Sequence, residues 1–359
     1  MIRQFYEQTF KLIIGVIASI LLMPDLRGQE VHKYVEYTKQ EAFTFISENE
    51  RFTVYLLVDK QGFPAYYTTN LTGEVCLDGL CRPINVDIYW DLLGKFKDYT
   101  TTEANTLTKF DHIAFTQKDH IKLKEILADT ESLLQDYGME DLLDTTVRVV
   151  SQIKADAVTG ATNKTFENAI VPGAVYTVYK LWHFVNSAIR KEILDYSQKN
   201  LFTDKEIKRL LLSGNRDYQY FLIDHIPDNN VETFKEQLIQ LIEDQDDFVP
   251  LYALYKLSND VWTDKNLQAR VFKQMPVFKN AVRIYTLEKL SAIPISADNL
   301  KMLIQSIPAL SGKQLELAYS ILKNNRTQVK NQLLKDVQSL LASDKEGVRE
   351  CTEDLLKQL

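Results

Sequence analysis

Pro83-Ile-Asn-Val-Asp-Ile-Tyr-Trp90 places Ile84, Val86, Ile88 and Trp90 at every second position. A period of two over seven or eight residues marks a half-buried β-strand. Working outward, Asp91-Leu-Leu-Gly94 is a turn into a second extended run, Lys95-Phe-Lys-Asp-Tyr99. On the other side lie Ala65 to Val75 and, before it, Phe52-Thr-Val-Tyr-Leu-Leu-Val-Asp59, rich in β-branched and aromatic residues. The turn residues Lys60-Gln-Gly-Phe-Pro64 join those two runs. Residues 52 to 100 therefore predict a small antiparallel sheet with short connections.

Helical spacing replaces strand spacing at Lys118 to Tyr137, where Ile121, Leu123, Ile126, Leu127 and Leu133 form the expected apolar side. Thr145 to Ile153 reads as a strand. From Thr165 to about Gln198 the pattern is helical again, with Pro172-Gly173 positioned to break or restart it. Residues 29 to 200 thus read as one α+β domain.

From residue 201 to 359 the chain is amphipathic helix almost throughout. Tyr220-Phe-Leu-Ile-Asp-His-Ile226, Tyr252-Ala-Leu-Tyr-Lys-Leu257, Tyr285-Thr-Leu-Glu-Lys-Leu290, Ala318-Tyr-Ser-Ile-Leu322 and Thr352-Glu-Asp-Leu-Leu356 recur at spacings in the low thirties. A second helix separates each pair, as at Val231 to Glu243 and Asn299 to Ile307. Self-similarity at this period predicts stacked helix pairs, an all-α solenoid that resembles HEAT repeats; an irregular bundle is the alternative. Either way the repeated aromatic and leucine positions read as core.

The 359 residues suffice for two domains, and 45% hydrophobic with 25% charged residues is an ordinary globular composition. A net charge of −7 without a Lys/Arg run argues against nucleic acid or an anionic membrane surface as partner. At the start, Arg3 and Lys11 precede the apolar run Leu12 to Met23, which Asp25 and Arg27 end, and Gly28 offers a small residue for cleavage. The run is shorter than the roughly 20 residues of a membrane span, so residues 1–28 read as a signal peptide, with an uncleaved anchor as the alternative. Export to the periplasm or cell exterior is the expected location.

Three cysteines are present. Cys76 and Cys81 flank a turn-like Leu-Asp-Gly-Leu, spacing that suits a small disulfide loop or a redox dithiol, while Cys351 stands alone. Neither a haem-attachment nor a zinc signature occurs, and the five histidines lack metal-ligand spacing. No P-loop, Gly-x-Ser-x-Gly or dinucleotide-binding glycine pattern is present.

The chemistry concentrates in Ala155-Asp156-Ala-Val-Thr159-Gly160-Ala161-Thr162. Thr162 supplies a hydroxyl, Gly160 permits a tight backbone and close approach of a phosphate, and Ala161 keeps the adjoining position small. A place between strand and helix lets backbone N–H groups near Thr162, Asn163 and Lys164 face phosphate oxygens. This stretch resembles the flavinylation motif of FMN-binding domains, found in flavoprotein subunits of Na+-pumping and Rnf-type redox complexes and in related extracytoplasmic carriers. Their pattern is Asp, two variable residues, Ser or Thr, Gly, Ala, Thr.

The resemblance implies that Thr162 receives FMN through a phosphoester made by a Mg2+-dependent flavin transferase from FAD, with Thr159 the preceding hydroxyl position and Asp156 the acidic one. Lys164-Thr165 departs from the variable residue and Thr-Ser that follow the acceptor in many members. The match is tight over 153 to about 190 and does not reach the helical repeats. Beyond the motif, Tyr176, Tyr179, Trp182 and His183 fall at helical spacing; Tyr176 and His183 are the candidates for contact with the flavin ring. The expected function is extracytoplasmic electron transfer with a membrane-bound or soluble redox partner, the repeats docking a protein. The alternatives are an exported interaction scaffold without flavin, or a thiol redox protein using Cys76 and Cys81.

Overall fold

A computed structural model describes residues 34, 36–75, 82–149, 159–162, 166, 168–244 and 246–359. The expected signal peptide, Asp156 and the pair Cys76 and Cys81 lie outside these residues. Contacts divide the chain into two units, one up to Leu201 and one from Phe202 onward.

The first unit contains a five-stranded antiparallel meander, β1 Thr38–Ser47, β2 Glu50–Val58, β3 Pro64–Gly73, β4 Ile84–Trp90 and β5 Phe96–Thr100, in sequential order. The expected strands are all present, and β1 is an addition. Its turn residues Glu48 and Asn49 both have positive φ (48° and 68°), as a two-residue hairpin loop requires. As an edge strand it buries only Phe45, so its sequence lacks the alternation of β4.

Pairing of Asp87 with Asn70 and Thr100, and of Ile88 with Thr69 and Tyr99, separates the sheet's two faces. On the inner face Tyr67, Val86, Ile88 and Trp90 are almost completely buried, each contributing roughly 1.5–3 kcal/mol from burial. That face packs on α2 Val175–Val185 and α3 Ile189–Asn200. The Trp90 indole donates to the Val185 carbonyl at 3.1 Å, and the Tyr67 and Ser197 hydroxyls meet at 2.9 Å. Phe52 meets Phe184 edge to face at 4.8 Å. The outer face carries Tyr66, Thr68, Asn70, Asn85, Asp87 and Tyr89.

α1 spans Gln117–Ala128, opened by a capping box between Thr116 and Asp119. The helix expected to continue to Tyr137 instead stops at Asp129, and Leu133–Gln135 forms a separate 3-10 turn. Leu123, Ile126 and Leu127 are buried as expected, whereas Ile121 of the same helix is exposed; the break then shifts the phase, so that Leu134 replaces Leu133 in the core. The helical pattern expected from Thr165 is not realised at residues 168–174, which are turns and bends, and α2 starts only after Pro172-Gly173.

The second unit is helical: α4 Asp204–Leu211, α5 Arg216–His225, α6 Lys235–Ile242, α7 Val249–Lys256, α8 Lys265–Gln274, α9 Asn280–Ser291, α10 Ala297–Ser306, α11 Gly312–Asn324, α12 Leu334–Ser339 and α13 Glu346–Gln358. The recurring segments lie in α5, α7, α9, α11 and α13, each packing on the next; α8 packs on α10 and α10 on α12. Two layers of stacked helices result. Buried amides tie successive repeats together: Asn299 Nδ2 donates to Gln268 Oε1 at 3.2 Å, and Asn325 Oδ1 accepts from the Ile295 N–H at 3.0 Å. Among the described residues no helix is long and apolar enough to cross a membrane.

Candidate functional site

β6 Leu143–Val149 and β7 Thr159–Thr162 form a two-stranded antiparallel sheet, pairing Leu143 with Thr162, Asp144 with Ala161, Arg148 with Gly160 and Val149 with Thr159. Three residues of β6, 145 to 147, are thus looped out between the positions opposite Ala161 and Gly160. Glycine suits that irregularity, because it imposes no side chain where the ladder bends. The motif's second half is therefore itself a strand, not a turn between strand and helix. β-branched Thr159 and Thr162 favour this state. Among the described residues the next α-helix starts at Val175, so α2 does not follow Thr162 directly as a source of phosphate-facing N–H groups.

Beyond the motif the chain is pinned. Phe166 is buried and meets Tyr137 edge to face at 5.0 Å. Ile170 and Val171 are fully buried, and Gly173, at φ 77°, accepts from the Phe110 N–H at 2.7 Å. Asn168 and Ala169 line a cavity of about 510 Å3 together with Lys118, Ile121, Lys122, Glu125 and Ile126 of α1 and, after it, Asp129 and Ser132. The cavity explains why Ile121 points away from the core. Sequence periodicity assigns Ile121 to the core and is silent on the two lysines, because only the fold brings α1 beside residues 168–169.

α2 presents a half-buried face bearing Tyr176, Tyr179 and His183. The Tyr179 and His183 rings lie 4.1 Å apart, and the Trp182 ring stands edge-on to His183 at 5.0 Å. Burial lowers the His183 pKa, against a hydrogen bond to the Leu134 backbone and the charge of Glu48, which favour the protonated ring. The buried His183 Nε2 has no hydrogen-bond partner among the described residues. Trp90 and Trp182, by contrast, are structural: both are buried, and Trp182 donates to the Asp129 carbonyl at 2.8 Å.

α2 touches both sequence candidates' surroundings. It packs on the 3-10 turn Met139–Leu142, which leads directly into β6. At Lys180 it donates to the Glu74 carbonyl at 2.6 Å, two residues before Cys76. Cys351 is a half-buried free thiol in the helical unit, its pKa pushed up by burial. The described residues contain no cluster of His, Cys, Asp or Glu able to hold a metal ion.

The chain matches no family model, no curated protein and no solved structure.

Proposed function

We propose that this is an exported flavoprotein that carries FMN covalently on Thr162 and passes electrons between carriers outside the cytoplasm. The observation that carries the reading is the complete run Asp156-x-x-Thr159-Gly160-Ala161-Thr162. Attachment joins Thr162 Oγ1 to the FMN phosphorus; a flavin transferase cleaves the pyrophosphate of FAD, AMP leaves, and the threonine hydroxyl loses its proton. Once bound, FMN supplies the redox chemistry, accepting electrons from one partner and returning them to another. A covalent tether keeps the group on a protein surrounded by dilute medium.

The chain's own residues suit this task. Thr162 ends an edge strand. Asn168 and Ala169 line a cavity with Ile121 and Ile126, apolar cover for a ring, where Lys118 and Lys122 are balanced in charge by Glu125 and Asp129. Tyr176, Tyr179 and His183, half-buried on one face of α2, form the second candidate surface for the ring.

The helical unit supports partner docking. Phe248, Tyr252 and Tyr255 are 60%, 47% and 58% exposed on and beside α7, with Tyr220 and Tyr285 on the neighbouring helices within 5.3 and 5.0 Å of that strip. Exposed aromatic clusters of this kind mark interaction surfaces. An exported scaffold that uses only this strip is the competing reading. Co-expression with a flavin transferase, followed by denaturing electrophoresis under ultraviolet light, separates them: a fluorescent band lost in Thr162→Ala and retained in Thr165→Ala supports attachment. A colourless wild-type band refutes it.

A further inference from the structure

The outer face of the five-stranded sheet holds a cleft of about 390 Å3 that the flavin reading does not use. It lies at the small end of the roughly 300–1,000 Å3 typical of ligand sites. Its floor is built by the strand period. Asn85, Asp87 and Tyr89 alternate along β4, with Thr68 of β3 opposite Tyr89 and Thr100 of β5 opposite Asp87. The loop after β5 adds Thr101, Thr102 and Asn105, and β1 adds Lys39.

Two features prepare this surface for hydroxyl groups. Asn70 Nδ2 donates to Asn85 Oδ1 at 2.9 Å and to Asp87 Oδ1 at 3.0 Å. That bridge fixes both side chains, so the cleft lining carries a second donor, Asn85 Nδ2, and a second acceptor, Asp87 Oδ2. A sugar hydroxyl both gives and accepts a hydrogen bond, so adjacent hydroxyls match such a pair, whereas a carbonyl or amine matches only half of it. The second feature is an aromatic cluster in which Tyr34 and Tyr89 bury one another and the half-buried Tyr37 keeps open surface beside the cleft. Tyr34 stacks on Tyr89 at 3.8 Å and 9°, and the half-buried Tyr37 lies against Tyr66 at 5.6 Å. A tyrosine face covers the C–H side of a sugar ring while the edges stay polar.

Charge narrows the class. Among the described residues, Lys39 and Asp87 are the ionic residues lining the cleft, one of each sign, and the Lys39 ammonium sits 4.3 Å over the Tyr55 ring. A phosphate or nucleotide needs several converging cations or N–H groups, and Asp87 opposes it. A wholly apolar ligand would leave the fixed Asn and Asp groups buried without partners.

We propose that this cleft binds a neutral polyhydroxylated ligand, a sugar of one or two rings. The test is calorimetric titration of the full chain with D-glucose, D-galactose, D-mannose, N-acetyl-D-glucosamine, maltose and cellobiose, each alone, and with glucuronate and inorganic phosphate as anionic probes. Saturable binding of at least one neutral sugar is expected, weakened about tenfold or more by Asp87→Ala and by Asn85→Ala. Both side chains are half-exposed, so the fold tolerates their loss; an unchanged melting temperature checks this, and Tyr37→Ala provides a variant outside the strands. Preference for the disaccharides assigns a glycan end, and preference for the monosaccharides a free sugar. Absence of saturable binding by every neutral sugar overturns the proposal, as does binding that Asp87→Ala, Asn85→Ala and Tyr37→Ala all leave unchanged, or tighter binding of an anionic probe. None of these outcomes depends on flavin attachment.

Discussion

Gly94 is the point at which the sheet and α3 can be separated by one methyl group. It closes the turn Asp91-Leu-Leu-Gly94 between β4 and β5 at φ 74°, donating its N–H to the Asp91 carbonyl at 3.0 Å. A Cβ there falls 2.4 Å from the Arg190 carbonyl oxygen, a backbone atom that cannot turn aside. Arg190 Nε in return donates to the Gly94 carbonyl at 3.1 Å. Gly94→Ala therefore carries three costs: roughly 1 kcal/mol for alanine in the left-handed region, about 1 kcal/mol for the strained Arg190 hydrogen bond, and about 1–3 kcal/mol for moving α3 off the sheet.

Gly62 supplies the internal control. Its φ is 84°, yet nothing lies within 4 Å of the added Cβ, so Gly62→Ala carries only the backbone cost. The two variants should thus differ by about 2 kcal/mol or more, close to 1 M in urea midpoint at a slope of roughly 1–3 kcal/mol/M. Urea titration followed by tryptophan fluorescence in a Trp262→Phe background reads this unit alone, because the two remaining tryptophans, Trp90 and Trp182, both lie in it. Equal midpoints for the two variants refute the close approach of α3 to the turn.

In the helical unit, Asn299→Ala should lower stability by about 2 kcal/mol, since it strands the buried Gln268 Oε1; chemical denaturation checks this, and an effect under about 0.5 kcal/mol contradicts the role of the buried amides. Burial acts to raise the Asp119 pKa, but hydrogen bonds from Lys109 and Thr116 outweigh it and hold the pKa at about 2. A carboxylate depressed in the folded state stabilises above its unfolded pKa and loses that contribution as pH falls, so thermal stability should drop between about pH 4 and pH 2, and the drop should shrink in Asp119→Asn. His183, its pKa lowered by burial, should titrate by NMR below the roughly 6.5 of an exposed histidine; a normal or raised value contradicts its enclosure beside Tyr179 and Trp182.

Much of this architecture is legible in the sequence because the physics is periodic. β4 declares itself through Ile84, Val86, Ile88 and Trp90, and the helical layers through segments recurring from Tyr220 to Thr352. What escapes is non-periodic or tertiary. β1 is exposed along most of its length, so alternation is weak and only the Glu48-Asn49 hairpin turn signals it. Leu133 and Leu134 exchange places because α1 ends at Ala128, and one break in phase moves every later residue to another face. At the site, the identity of the motif residues is plain, whereas the strand formed by Thr159–Thr162 depends on pairing with β6. The cleft below Tyr34 and Tyr89 is visible only once register sets Asn70 beside Asn85 and Asp87.

The central claim is a covalent bond at Thr162. Intact-mass spectrometry of the full chain, expressed with and without a flavin transferase, reads that bond independently of colour or activity. The proposed function predicts a transferase-dependent gain equal to FMN less one water, localised by peptide fragmentation to Thr162 and absent from Thr162→Ala. An unmodified mass in the presence of a transferase active on a control substrate, or a gain localised to Thr165, contradicts it.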